Sequence, residues 1–250
     1  FRRHPNLRRH PLKTRTKSIV NPCLLTALST MKTTSTSTEL LMVGTLLAPF
    51  IYLAIIWNQL PAQIITHYDF AGNPNDSMPK ETAAVVMAAI SLVLYLTLRF
   101  LPGIDPKGHL QSANYEKLRF VVVLSFATIV GWMWYTAQHN VAQQSVLIPL
   151  FAILGVMLAG IGNYITTVKP NWFVGIRTPW TLDSETVWRK THRMGGRLMV
   201  VGGLLSAVLA LVIPMPYGLW VVMGIILLVS FIPVVYSYIY YRQEKKHQLN

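Results

Sequence analysis

The sequence predicts an all-α membrane protein, a bundle of about six transmembrane helices with both termini in the cytoplasm. Three observations predict this class. Hydrophobic residues make up 52% of the 250 residues and charged residues only 12%, whereas soluble domains carry roughly 25% charged residues. Six stretches approach the roughly 20 apolar residues that a helix needs to cross a bilayer. Lys and Arg concentrate in alternate connections between these stretches.

Each predicted span is a continuous apolar run. In chain order the spans are Leu40–Trp57, Thr82–Leu98, Phe120–Ala137, Ser145–Ile161, Leu198–Ile213 and Leu219–Tyr240. Pro49 and Pro233 lie inside spans and predict kinks that neighbouring helices must accommodate. No Asp, Glu, Lys, Arg or His lies deep inside any run. Because a charge at a helix centre costs about 2.5–3.5 kcal/mol, proteins keep one there for function, and this pattern counts against a proton relay or an ion-coupled transporter.

Small residues recur on one side of the fifth span. Gly202, Ser206 and Ala210 are four residues apart, which places them on one narrow helix face where another helix can pack closely. Such a face serves either internal packing or dimerisation, and we favour internal packing.

The orientation follows from the positive-inside rule. From Met31 onward, the N-terminal segment, the second and fourth connections and the C-terminal tail together hold 14 Lys and Arg, whereas the first, third and fifth connections hold only Lys80. Both termini should therefore be cytoplasmic in a protein of the cell membrane. The formal charge of +13 is explained by this asymmetry and by the basic N-terminus, so we predict the lipid bilayer as a partner and no direct contact with nucleic acid.

The N-terminal residues 1–38 precede the first span. Residues 1–30 carry seven Lys and Arg and no acid, and the first methionine is Met31. We expect a disordered extension, or one that lies upstream of the native start. A basic arm that binds lipid or nucleic acid and a targeting peptide are the alternatives. Cys23 is the only cysteine, which excludes an intramolecular disulfide and a cysteine-based zinc site.

The first connection, residues 58–80, is predicted to be a structured turn outside the cell. Gly72 and the Asn and Pro residues that follow it are strong turn formers. His67, Asp69, Asp76 and Glu81 match no zinc or calcium spacing, so we predict no metal site. The candidate residues of this outside loop are Pro61, His67, Gly72, Asp76 and Lys80.

The fourth connection, residues 162–197, is rich in tryptophan and arginine. A helix is predicted from Glu185 onward, with Asp183 or Ser184 as its N-cap. Arg189, Arg193 and Arg197 then lie one above another at four-residue spacing. An interfacial segment that sets Trp at headgroup depth and Arg on lipid phosphate explains much of this composition.

A recognition role for a protein or lipid partner is the other interpretation of this connection, because polar residues are closely interleaved there. The candidate recognition residues are Asn163, Asn171, Trp172, Gly175, Arg177, Thr178, Pro179, Trp180, Trp188, His192 and Arg193. Ser184 and His192 do not indicate a hydrolytic triad, since the sequence has no G-x-S-x-G elbow. We predict no catalytic residue, no cofactor and no enzyme activity.

Both connections contain motifs of known families. The fourth resembles the C-terminal signature of the bacterial SdpI family through Gly162-Asn-Tyr, Lys169-Pro-Asn, Gly175-Ile-Arg-Thr-Pro-Trp-Thr-Leu182, Val187-Trp188, Thr191-His192 and Gly195-Gly196. The first resembles the DUF1648 module, which often precedes that signature, through Leu60-Pro61, His67, Gly72, Pro74, Asp76 and Lys80. We therefore expect a DUF1648-like module over residues 39–110, an SdpI-like module over residues 111–241 and a cytoplasmic tail over residues 242–250.

The resemblance implies immunity to a membrane-active peptide toxin. It also implies signalling, in which the toxin-engaged membrane protein holds a cytoplasmic ArsR-type repressor at the membrane. Two other functions stay open at this point. A membrane sensor would use the outside loop for a ligand without protecting the cell. A small-molecule carrier would need polar groups between its spans, and Asn163, Tyr135 and Gln138 are the only modest candidates.

Overall fold

The computed structural model describes residues 35–69, 73–110, 112–139, 141, 143–214 and 217–248. The predictions for residues 1–34 and for Gly72 fall outside these residues. The helices are α1 (Thr36–Ile56), α2 (Lys80–Ile104), α3 (Ala113–His139), α4 (Gln143–Ile165), α5 (Pro179–Asp183), α6 (Glu185–Val212) and α7 (Tyr217–Gln248). A 3-10 turn, Trp57–Gln59, follows α1, and the strands β1 (Gln63–Tyr68) and β2 (Pro74–Pro79) precede α2.

Within the described part of the chain, six helices are long and apolar enough to cross a membrane, and each contains one predicted span to within one residue at its C-terminal end. The six-span helical class is therefore confirmed. Most of the helices extend beyond the predicted spans, because hydropathy identifies only the part of each helix that is apolar enough to lie in hydrocarbon. The largest difference is in α6, which begins at Glu185 rather than near Leu198. The helix predicted from Glu185 is thus continuous with the fifth span.

The first connection contains a β-hairpin that the sequence did not predict. Gln63 pairs with Pro79, Ile64 with Met78 and Tyr68 with Pro74, in antiparallel register with irregularities around His67. β2 reads PNDSMP, which lacks the β-branched and aromatic residues that favour strands. The hairpin is instead anchored by tertiary packing, because Ile64 is buried in a cluster with Leu53, Ile56 and Trp134.

Glycines let α4 and α6 approach until their backbones touch. A Cβ added to Gly155 would lie 2.6 Å from the carbonyl oxygen of Gly203, and one added to Gly203 would lie 2.5 Å from that of Gly155. Gly162 and Gly196 show the same reciprocal contact. On another side of α6, Gly202 packs against Val229 of α7. The small residues of the fifth span therefore serve packing inside the molecule, as the spacing predicts.

Contacts gather the connections into two ends of the bundle. Asp183 of α5 contacts Tyr241 and Lys245 near the C-terminal end of α7. His109, between α2 and α3, contacts the carbonyl oxygen of Pro170, between α4 and α5. We call the end of the bundle that contains these contacts, with the α2–α3 connection, the segment between α4 and α6 and the C-terminal end of α7, the basic end. At the hairpin end, Tyr52 near the end of α1 bonds Gln138 near the end of α3.

Candidate functional site

The candidate site is the irregular segment between α4 and α6, residues 166–184, which we call the α4–α6 loop. Its start is fixed by Trp188 of α6, whose buried indole Nε1 donates a hydrogen bond of 2.8 Å to the carbonyl oxygen of Val168. The ring packs in a core cluster with Leu110, Tyr115 and Leu118. The cluster thus joins the α4–α6 loop to α3 and to the α2–α3 connection.

Asn171 shapes the first turn of the loop from inside. Its Nδ2 donates to the carbonyl oxygens of Lys169 and Val174, both at 2.9 Å. Its Oδ1 accepts from the backbone N–H groups of Phe173 and Val174. The buried amide therefore satisfies four backbone groups that neither helix nor sheet would satisfy.

His192 holds the second turn. Its Nδ1 lies 2.8 Å from the carbonyl oxygen of Trp188, and its Nε2 accepts a 2.9 Å hydrogen bond from the backbone N–H of Ile176. This pairing requires the neutral imidazole with its proton on Nδ1, since a protonated Nε2 could not accept. Gly175 passes directly over the ring with φ +125°, and a Cβ there would lie 2.3 Å from Nε2. Only glycine fits this position.

The short helix α5 follows from a capping box. The Thr178 hydroxyl accepts from the backbone N–H of Thr181, and the Thr181 hydroxyl accepts from the backbone N–H of Thr178. Pro179 occupies the first helical turn, where its missing N–H costs nothing. Ser184, one of the two N-caps that the sequence predicts, then caps α6 by accepting from the backbone N–H of Val187 at 3.2 Å.

Two side chains of α5 attach the loop to α7. The Trp180 indole donates a hydrogen bond to the buried Ser237 hydroxyl. Its ring packs edge-to-face with the Tyr238 ring, with the two centroids 5.3 Å apart. Asp183 accepts a 2.9 Å hydrogen bond from the Tyr241 hydroxyl and lies 3.5 Å from the Lys245 ammonium. The hydrogen bond from Tyr241 makes the largest single contribution and the Lys245 ammonium adds to it, and together they hold the pKa of Asp183 below its usual value. The carboxylate stays charged at neutral pH, which maintains the tether.

Trp172 and Arg177 lie on the outside of this scaffold. Trp172 is 49% exposed, and the Lys107 ammonium lies 5.7 Å from its ring centroid. The exposed Arg177 donates from Nη1 to the carbonyl oxygen of Trp172. Its other guanidinium donors have no hydrogen-bond partner among the described residues. We call Trp172, Arg177, Pro179 and Trp180 the loop surface.

The structure divides the predicted recognition residues into two groups. Asn171, Trp188 and His192 are buried and hold the loop together, while Gly175 and Thr178 are half-buried and shape its turns. The loop surface is accessible, with Trp180 half-buried. Asn163 and Arg193 are exposed on α4 and α6, outside the α4–α6 loop. A recognition role stays a prediction, and the accessible residues are those that could contact a partner.

The outside-loop candidates that the structure describes lie on or beside the hairpin. His67 is 3.6 Å from Asp76 across the two strands, with both side chains exposed. Lys80 donates to the carbonyl oxygen of Trp57 at 3.2 Å and lies 4.9 Å from its ring centroid. Pro61 is exposed at the start of the hairpin. No group of three or more His, Cys, Asp or Glu among the described residues is placed to hold a metal ion.

Sequence reasoning missed a partly buried ionic cluster at the basic end. Arg119 of α3 is only 2% exposed, and its guanidinium donates to both carboxylate oxygens of Glu39 in α1, at 3.0 and 3.2 Å. Arg99 of α2 lies 3.3 Å from the same carboxylate, and the Tyr95 hydroxyl donates to it. The available signal was that Glu39 and Arg119 each directly precede an apolar run.

Comparisons with known proteins agree with these motifs. Residues 167–237 match the SdpI/YfhL protein family, and residues 44–92 match the domain of unknown function DUF1648. The chain is 27% identical over 198 residues to the immunity protein SdpI of Bacillus subtilis strain 168. The aligned region covers 78% of this chain and 91% of that protein. No solved structure matches the chain. The predicted resemblance to the SdpI family is therefore confirmed.

Proposed function

We propose that this membrane protein belongs to the SdpI family and protects a bacterial cell against a membrane-active peptide toxin. The observation that carries the proposal is the similarity to an immunity protein over 91% of that protein's length. The similarity therefore extends beyond the family signature and takes in nearly the whole of a protein named for immunity. The six long apolar helices among the described residues are consistent with action in the membrane that such a toxin attacks.

The proposed orientation places the basic end in the cytoplasm and the hairpin outside. Its support is the 14-to-1 distribution of Lys and Arg, together with the contacts that gather the basic connections at one end. In this orientation a toxin arriving from outside meets the hairpin end first.

We further propose that the loop surface docks a cytoplasmic ArsR-type repressor. Trp and Arg dominate binding hot spots because a rigid aromatic side chain loses little entropy and a guanidinium offers several donors. The buried bonds of Asn171 and His192 hold the backbone beneath this surface in one conformation. A preformed surface loses less conformational entropy on binding than a mobile loop would.

The immunity proposal is tested by survival. A toxin-sensitive bacterium without its own immunity gene receives this gene or an empty vector and is challenged with an SDP-type peptide over a range of doses. We expect the gene to raise the lethal dose severalfold. Equal killing of both strains, with the protein present in the membrane fraction, would contradict immunity.

Repressor docking is tested separately. A tagged ArsR-type repressor is co-expressed with the chain, and its membrane-bound fraction is measured with and without toxin. We expect toxin to raise that fraction only in cells that contain the chain. A repressor that stays soluble in protected cells would refute docking while leaving immunity intact.

A further inference from the structure

A groove of about 590 Å³ lies between α6 and α7 near the basic end. It is lined by Lys190, Arg193, Met194, Arg197, Leu198, Val201 and Tyr236. Along α6 all three cations lie before Leu198, with Met194 among them, whereas Leu198 and Val201 are apolar, so one end of the groove carries the positive charge and the other end is apolar. We propose that it binds an anionic phospholipid, with the phosphate held by Arg193 and Arg197 and an acyl chain lying along Leu198 and Val201.

The charges of this groove are incompletely compensated within the molecule. Arg193 and Arg197 are exposed, and neither is in an ion pair with any described residue. Like charges four residues apart destabilise a helix, so an anion bound between them would relieve that repulsion. Lys190 is already engaged, since its ammonium lies 4.1 Å from the centroid of the Tyr240 ring. The two arginines are therefore the phosphate ligands, and the guanidinium fork suits phosphate oxygens.

The position of the groove along α6 favours a lipid over a free phosphate. Arg197 directly precedes the apolar run that begins at Leu198, so its side chain lies where hydrocarbon gives way to headgroups. Val201, one turn further on, is 65% exposed. Tyr236 lines the groove from α7, and tyrosine is enriched at this depth. An inorganic phosphate would leave the apolar half of the groove unused, whereas a phospholipid fills both halves.

The test is native mass spectrometry of the purified full-length chain in detergent with added phosphatidylglycerol or phosphatidylcholine. We expect the wild type to retain phosphatidylglycerol in preference to phosphatidylcholine. Arg193→Gln with Arg197→Gln should lower retention of phosphatidylglycerol by about fivefold for each arginine removed. Arg189→Gln with Lys246→Gln removes the same charge from residues that do not line the groove, and should retain the lipid.

Three results would overturn the proposal. The first is equal retention of phosphatidylglycerol and phosphatidylcholine by the wild type. This comparison uses no variant, so a misfolded variant cannot produce it. The two double variants could lose phosphatidylglycerol to the same extent, which would indicate a general charge effect. Millimolar inorganic phosphate could displace the lipid completely, which would show that the apolar half of the groove contributes nothing.

Discussion

At the scale of single residues, the α4–α6 loop depends on polar side chains that face inward. Asn171 and His192 bond backbone groups of the loop, Gly175 lets the backbone pass over the His192 ring, and the loop surface lies outside them. The distinction matters for mutagenesis, because a change in the buried set alters the shape of the loop and a change in the exposed set alters its contacts.

Gly175→Ala should destabilise the protein strongly. The backbone strain of an L-residue at φ +125° costs about 1–3 kcal/mol, and the added Cβ would also collide with His192. Gly108→Ala is the matched control, since Gly108 has φ +62° with no atom within 4 Å of an added Cβ. Thermal unfolding in detergent should show a clearly larger loss for Gly175→Ala. Equal losses would mean that the contact with His192 contributes nothing.

The sequence narrows the N-cap of α6 to Asp183 or Ser184, because capping depends on neighbours in the chain, and the structure shows Ser184 in that role. It predicts Asn171 and His192 only as polar residues of a recognition segment. Their partners are backbone groups of an irregular loop, such as the N–H of Ile176. Residue type alone cannot tell whether such donors and acceptors are satisfied by the protein's own backbone or by a partner.

At the scale of elements, the ionic cluster connects the two predicted modules. Glu39 and Arg99 belong to the first module and Arg119 to the second. Helical spans are predictable from hydropathy because each span alone must suit the bilayer. The hairpin and the ionic cluster are less predictable, because both depend on tertiary contacts between elements distant in sequence.

Glu39→Gln should destabilise the protein by about 3–5 kcal/mol, because it leaves the buried charge of Arg119 uncompensated. Arg119→Met added to Glu39→Gln should recover part of this loss, since the buried charge is then gone. The measurement is the free energy of unfolding in detergent for both single variants and the double variant. Strictly additive losses would show that the two side chains are not coupled.

At the scale of the whole molecule, the central structural prediction is the orientation. Asn75→Cys and Lys169→Cys, each in a Cys23→Ser background, place single thiols at exposed positions of opposite ends. An impermeant thiol reagent should label Asn75→Cys in intact cells and Lys169→Cys only after lysis. Labelling in the reverse pattern would invert the proposed topology and remove the cytoplasmic docking surface.

The number of spans and the grouping of their ends follow from the sequence, because apolar length and alternating charge act over the whole chain. The arrangement of helices around α6 does not follow from sequence patterns alone. It depends on which glycines meet, such as Gly155 with Gly203, and a small residue at helical spacing does not identify its partner.

The loop surface is proposed to dock a cytoplasmic repressor, and one variant pair tests this role most directly. Arg177→Lys keeps the charge but loses the planar five-donor fork, whereas Lys169→Gln removes a nearby exposed charge outside the loop surface. The membrane-bound fraction of a tagged ArsR-type repressor is measured in toxin-treated cells at matched membrane abundance of each variant. We predict that Arg177→Lys loses most of the toxin-dependent binding and that Lys169→Gln binds the repressor like the wild type. Full toxin-dependent binding by Arg177→Lys would contradict docking at the loop surface.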